Sequence, residues 1–159
     1  MNEEGMIAIY PNTLGFGYVV LNDKGEILDY AMVSVRPVRN DKCLDRIHEM
    51  ILYYQPKILI LEDYKKSNKS ERVKKLLKNI NDYGQDSIRI FKYSREQIRD
   101  TFEIFGAKNK YEVSKKISEA YPQLKSKLPE KRKTWEPENY YQGIFDAMAL
   151  VLTHQYLDD

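Results

Sequence analysis

Two acidic residues stand where a carboxylate is costly. Asp146 lies inside the apolar stretch Ile144–Leu152, and a helix that is apolar all round is a buried one. A carboxylate there needs a partner or a metal ion. The partner would be a lysine, an arginine or a backbone amide. Glu62 closes the apolar run Ile58–Leu61, and ligand sites in α/β sheets gather at the carboxyl ends of strands. Side-chain alternation sends Glu62 and Asp63 to opposite faces, so a single site uses only one of them. The alternative for Glu62 is an exposed acid at a strand end. A strand-end carboxylate facing a helical one suits Mg²⁺ or Mn²⁺, because like charges held close repel and a hard cation relieves them.

Basic runs flank both acids. "KKSNKSERVKKLLK" (65–78) follows Glu62, and "KSKLPEKRKTWEPENYY" (125–141) precedes Asp146 and carries Trp135, Tyr140 and Tyr141. Lysine and arginine neutralise phosphates, and a flat ring stacks on an unpaired base. The plainer alternative is a solvated helix face with a tryptophan pinning a loop to the core. The lone His154 is expected to pack against the last helix or cap it.

These residues need elements that bring them together. Met6–Tyr10 reads as a buried strand, followed by Gly15 and Gly17, which permit a bend or a close backbone approach. "GYVVLNDKGEILDYAMVSV" reads as a hairpin turning at Asn22–Gly25. "CLDRIHEMILYY" has apolar residues at helical spacing, and "KILILEDY" is a short buried strand after Pro56. "SERVKKLLKNINDYG" predicts an amphipathic helix with Ser70 as N-cap and Gly84 as its stop. "SIRIFKY" predicts a strand. Ser94 and Gln97 have capping-box spacing for the helix that ends at Gly106. "KYEVSKKISEAY" predicts a helix stopped near Pro122, residues 122–139 a basic loop, and "NYYQGIFDAMALVLTHQYL" the last helix. Three opening strands, then helices alternating with two more, predict an α/β protein. Its mixed five-stranded sheet is antiparallel at its start and carries helices on both faces.

The 159 residues suit one domain, 1–159, with a real core. The net charge of +2, from 26 basic and 24 acidic residues, is too even to indicate nucleic acid by itself. The single cysteine, Cys43, excludes an intramolecular disulfide and fits a reducing compartment. "MNEEGM" has no apolar core of a signal peptide, and no apolar run is long enough to span a bilayer. The expectation is a cytoplasmic protein.

Four segments in order, "IAIYPNTLGFGYVV", "QPKILILEDY", "YSREQIRDTF...GAKNKYEVSKKI" and "FDAMALVLTH", resemble the RuvC family of Holliday-junction resolvases. The likeness spans nearly the whole chain and implies a ribonuclease H-like fold. That family carries four acids around two metal ions. Glu62 matches the second and Asp146 the last. The first falls on Tyr10, and the acid three residues before Asp146 falls on Gly143. Tyrosine, with a reference pKa of about 10, is a poor ligand for Mg²⁺. Two carboxylates suffice for one Mg²⁺ that keeps its waters, whereas a two-metal clamp is out of reach. Asn139 and Gln142 fall one or two helical turns before Asp146, on roughly its face, as weaker amide ligands.

The resemblance also implies that Arg99, Lys108 and Lys110 lie near substrate phosphates, and it implies a homodimer. The resulting expectation is a nucleic-acid-binding protein, with Glu62 and Asp146 as catalytic and metal-binding residues that meet across the sheet. Arg99, Lys108, Lys110 and Trp135 would contact the nucleic acid. It is either a Mg²⁺- or Mn²⁺-dependent endonuclease acting on branched or structured DNA, RNA not being excluded, or a degenerate relative that binds without cutting. An actin-like or sugar-kinase ATPase would need glycine-rich phosphate loops and a second lobe. A ribosomal-RNA-processing nuclease of a related family fits less well, because the Lys-x-x-Val segment and "FDAMALVLTH" look closer to RuvC.

Overall fold

The computed structural model describes residues 5–83, 88–132, 135 and 138–158. Strands β1 (Met6–Pro11), β2 (Gly15–Leu21) and β3 (Ile27–Ser34) form an antiparallel meander. Helix α1 (Asn40–Tyr54) returns the chain to β4 (Ile58–Glu62), parallel to β1. Helix α2 (Glu71–Tyr83) leads to β5 (Arg89–Tyr93), parallel to β4. Helices α3 (Arg95–Ile104), α4 (Lys110–Ala120) and α5 (Gln142–Leu157) follow. The five-stranded sheet runs β3-β2-β1-β4-β5. It is the mixed sheet that the patterning predicts.

Alternation along the strands divides the core. Ile7, Ile9, Leu59 and Leu61 face α1 and α2; Ala8, Tyr10, Ile58 and Ile60 face α3, α4 and α5. Helices therefore cover both faces. The capping box at α3 is present, with Gln97 N–H donating to Ser94 Oγ at 3.1 Å and Ser94 N–H to Gln97 Oε1 at 2.8 Å. Ser70 Oγ accepts from Val73 N–H at 3.3 Å at the start of α2. Gly84, expected to stop that helix, lies outside the described residues.

The chain departs from expectation in two places near Asp146. Residues 122–139 are not all loop: Pro122–Lys127 is a 3-10 turn, pinned by the fully buried Leu124. Helix α5 begins at Gln142, not Asn139, because Asn139 turns back on its own chain. Its Oδ1 accepts from Tyr141 N–H at 2.8 Å and its carbonyl from Gln142 N–H at 3.1 Å. Asn139 is therefore exposed, outside the helix, and does not share a helical face with Asp146.

Gly15 and Gly17 do different jobs. Gly15, at φ +153°, ends a turn held by Asn12 Oδ1, which accepts from Leu14 N–H at 2.9 Å and Gly15 N–H at 3.0 Å. Gly17 lets α5 lie directly on β2, since a Cβ on Gly17 would overlap the carbonyl of Gly143. No helix among the described residues is long and apolar enough to cross a membrane.

Candidate functional site

The parallel strands β1, β4 and β5 end side by side. Glu62 pairs with Tyr93 across β4 and β5. The register Ala8↔Ile60, continued two residues, sets Tyr10 beside Glu62. Tyr10, Glu62 and Tyr93 thus form a row at the carboxyl edge of the sheet, on the face covered by α5. Asp63, next in the chain, is spent locally: its Oδ1 accepts from Lys65 N–H at 3.1 Å and caps a 3-10 turn over Tyr64–Lys66.

Asp146 reaches this row from the second turn of α5 and is 8% exposed. Its Oδ1 accepts from Gln142 Nε2 at 3.2 Å, and its Oδ2 lies 3.4 Å from Lys110 Nζ. Gln142 also donates to Ser114 Oγ on α4 at 3.1 Å, so it acts as a donor that orients Asp146. Lys110, the first residue of α4, donates to Glu138 Oε2 at 2.6 Å. Glu62 is 1% exposed, and among the described residues neither of its oxygens has a hydrogen-bond partner. Its ion-pair partner is Lys69, whose Nζ lies 3.9 Å from Oε1 and 4.4 Å from the centre of the Tyr10 ring. The Ser67 hydroxyl pulls on Glu62 in the same sense, without the geometry of a hydrogen bond.

The electrostatics describe one shared pocket. Burial pushes the Tyr10 phenol well above its usual range, and the charges of Asp146 and Glu62 push it further, so the group is neutral. Burial raises the Glu62 carboxyl, with Lys69 opposing. Burial also raises Asp146, with Lys110 opposing and Glu138 adding to the rise. Lys69 is lowered by burial against the pull of Glu62 and Asp146. Burial works against the charge of Lys110 too, but Asp146 and Glu138 outweigh it and its pKa is raised.

The remaining predicted residues lie further out. Arg99 is exposed and pairs with Asp100 at 3.6 Å. On α3 it is Arg95, bonded to Asn68 Oδ1 at 3.2 Å, whose charge bears on Tyr10, Glu62 and Lys69. Lys108 has an exposed side chain, and its backbone N–H donates to Glu112 Oε1 at 2.7 Å. Trp135 is 77% exposed. His154 is buried against Phe91, with Tyr93 Oη 2.7 Å from its Nδ1. Lys65, Lys74, Lys75 and Lys78, with Glu71, line a depression beside Tyr64 on the α2 side of the sheet, where Lys74 pairs with Glu71 at 2.8 Å and Lys78 with Asp82 at 3.1 Å.

Lys69, Arg95 and Glu138 escape a reading by pattern. Lys69 stands in a run of similar lysines, and Glu138 in a loop whose path no periodicity specifies. The only hint of Lys69 is that it follows Glu62 within reach of a short turn.

The donor set does not fit a two-metal centre. Among the described residues, no three His, Cys, Asp or Glu side chains are grouped to hold a metal ion. Tyr10 is a neutral phenol. A Cβ on Gly143 would sit 2.8 Å from Met32 Sδ and 2.9 Å from Asn12 Nδ2, so a side chain there requires both of these side chains to move.

No protein-family model matches the chain, and no curated protein matches it either. Solved structures do. The chain is similar to a Thermus thermophilus RuvC structure with a TM-score of 0.62 at 18% identity, over 97% of this chain and 95% of that one. A second T. thermophilus RuvC structure, in complex with a Holliday junction substrate, gives 0.63 at 17% identity, over 98% and 94%. The fold is that of RuvC, a ribonuclease H-like α/β fold.

Proposed function

We propose that the protein binds nucleic acid across the carboxyl edge of its sheet and does not cleave it. Support for binding comes from the fold it shares with RuvC, one of whose structures holds a Holliday junction. Further support comes from the cations around that edge: Lys69, Lys110 and Arg95 close in, Arg99 and Lys108 further out. Phosphate neutralisation needs basic side chains and no metal. The α2 lysines extend the positive surface, and the exposed Trp135 offers a ring for an unpaired base. Four-way or otherwise branched DNA is the expected ligand, because nothing in the fold resembles a base-reading helix and shape must do the selecting.

One observation carries the loss of cleavage: each surviving acid, Glu62 and Asp146, faces a lysine ammonium. The other two family positions hold a neutral phenol and a glycine, neither of which supplies a carboxylate.

A competing reading, a Mg²⁺- or Mn²⁺-dependent endonuclease, draws on the unpartnered oxygens of Glu62. The two readings separate in one experiment. Four-way junction, duplex and single-stranded DNA, and a matched RNA, are titrated across a salt series, then incubated with Mg²⁺ or Mn²⁺. Salt-dependent binding without products is expected. Failure of every nucleic acid to bind at low salt overturns the binding reading. Metal-dependent cleavage that Glu62→Gln abolishes overturns the loss of cleavage.

A further inference from the structure

A buried carboxylate with two unpartnered oxygens is what a cation seeks. At Glu62 the cation within reach is Lys69, held 3.9 Å from Oε1 with its ammonium over the Tyr10 ring. At Asp146 it is Lys110, 3.4 Å from Oδ2 and bonded to Glu138 on its other side. We propose that Lys69 and Lys110 take the places of the two metal ions: they balance the surviving acids and hold a backbone phosphate without activating water.

Charge supports the exchange. Three carboxylates, Glu62, Asp146 and Glu138, act on this pocket together with three cations, Lys69, Lys110 and Arg95. A group that sums to neutrality offers little to a divalent ion, which is held by an excess of negative charge. A metal at Glu62 or Asp146 would also lie against an ammonium, and at the buried Glu62 little solvent screens the repulsion.

Position supports it equally. The two lysines come from different segments, Lys69 from the loop after β4 and Lys110 from the start of α4, and each reaches one of the two acids. Both keep some access to solvent, with 23% of the Lys69 side chain and 51% of the Lys110 side chain exposed. Two-metal sites clamp a phosphodiester and also generate the attacking hydroxide. An ammonium can do the first as a point charge. It cannot do the second, because it lowers no water's pKa by coordination.

Charge replacement needs no nucleic acid. The phosphate contact rests on the binding reading above, so the two are tested separately. For the first, Mn²⁺ binding is followed by electron paramagnetic resonance and calorimetry on the intact protein. The wild type should show no saturable site at millimolar metal, and K69M/K110M should gain one, seen also as a Mn²⁺-dependent rise in Tm. Adding Glu62→Gln to that variant should remove the gain. Saturable Mn²⁺ binding by the wild type, lost in Glu62→Gln, overturns charge replacement, as does a folded K69M/K110M that binds no metal. If the double variant does not fold, Lys69→Met alone is read in the same way.

For the second, binding of four-way junction DNA by the wild type should be unchanged by EDTA. Its salt slope should fall by about one for each lysine removed. A slope unchanged in K69M and in K110M overturns the phosphate contact. Wild-type protein that binds no nucleic acid overturns it too, together with the binding reading, while the Mn²⁺ titration still judges the charge exchange.

Discussion

On the β2 side of α5, Gly143 lies directly on Gly17, and a side chain at either residue meets an occupied position. On the β4 side of the same helix, one turn on, Asp146 keeps its carboxylate and Gln142, Lys110 and Glu138 surround it. Residues three apart on a helix share a face, and the two positions differ in what they meet. Where helix and strand approach to backbone contact, at Gly17, no volume remains for a side chain, and at Gly143 one fits only if Met32 and Asn12 move. At Asp146 a carboxylate survives, but burial makes its charge expensive and a lysine offsets it. A ligand set is therefore lost in two ways, by closing the space and by supplying the counter-charge from within.

The closed side should be the more fragile. Gly17→Ala places a methyl group against the Gly143 carbonyl, where only backbone movement can relieve it. A loss of about 3 kcal/mol or more is expected in urea unfolding. Gly143→Ala meets the ends of two side chains, Met32 and Asn12, which can give. It should cost about 1 kcal/mol, in part offset by the better helix propensity of alanine. If the two variants were equally mild, the closed side would not be closed.

The charged side is probed by Lys69→Met, which strands Glu62 in a dry position. The expected loss is about 2 kcal/mol at neutral pH, less than the roughly 3–5 kcal/mol for breaking a fully buried pair, because Lys69 keeps some solvent. Glu62→Gln in the same chain should recover most of it. The loss should also shrink in acid as Glu62 protonates. A double-mutant cycle showing no coupling between Glu62 and Lys69 would remove the pair from the account.

Titration sharpens the contrast at the far end of that side. Tyr93, whose pKa is pushed up to about 12 by burial and by Asp158, stays protonated, and its Oη is hydrogen-bonded to His154 Nδ1. On the other side of the ring, Nε2 lies 3.8 Å from Asp158 Oδ2. Burial lowers the His154 pKa below its ordinary 6.5, with Asp158 opposing. The unfolded chain thus binds the proton first. The stability that neutral His154 contributes is complete above pH 6.5 and is lost as pH falls below it toward the lowered value. Glu62 and Asp146, raised by burial, act with the opposite sign, since the folded state gains as they protonate. The His154 effect is read as a difference: His154→Gln, whose amide can still hydrogen-bond Tyr93 but does not titrate, should lose less stability than the wild type between pH 6.5 and 5. Parallel curves would show that His154 does not titrate there.

The smallest effects belong to the rim. Arg99→Ala or Lys108→Ala, both exposed, should leave stability unchanged. A residue that contacts a phosphate should reduce the salt slope on duplex DNA by about one unit when removed, with similar weakening across sequences. Arg95→Ala, nearer the acids, provides the comparison. If Arg95 changes the slope and Arg99 does not, the nucleic acid lies over the pocket rather than along the outer face of α3.

Much of this architecture was legible before any coordinates. Period-two and helical patterns, the Ser94–Gln97 capping box and the glycine-bearing turn all report local physics, and local physics specifies the strands, the helices and their buried faces. The same reasoning singled out Glu62 and Asp146, because a carboxylate in an apolar stretch is conspicuous wherever the chain goes. Tertiary structure decided what those acids meet. Lys69 and Lys110 are two among 26 basic residues, and a long flexible side chain has no pattern that says which carboxylate it will reach. The contact of Gly17 with Gly143 joins residues 126 positions apart, from the numbering itself, and exists only because α5 crosses β2 there. Alternation assigns a residue to a face, but the distance between two faces is set by the packing of everything between them.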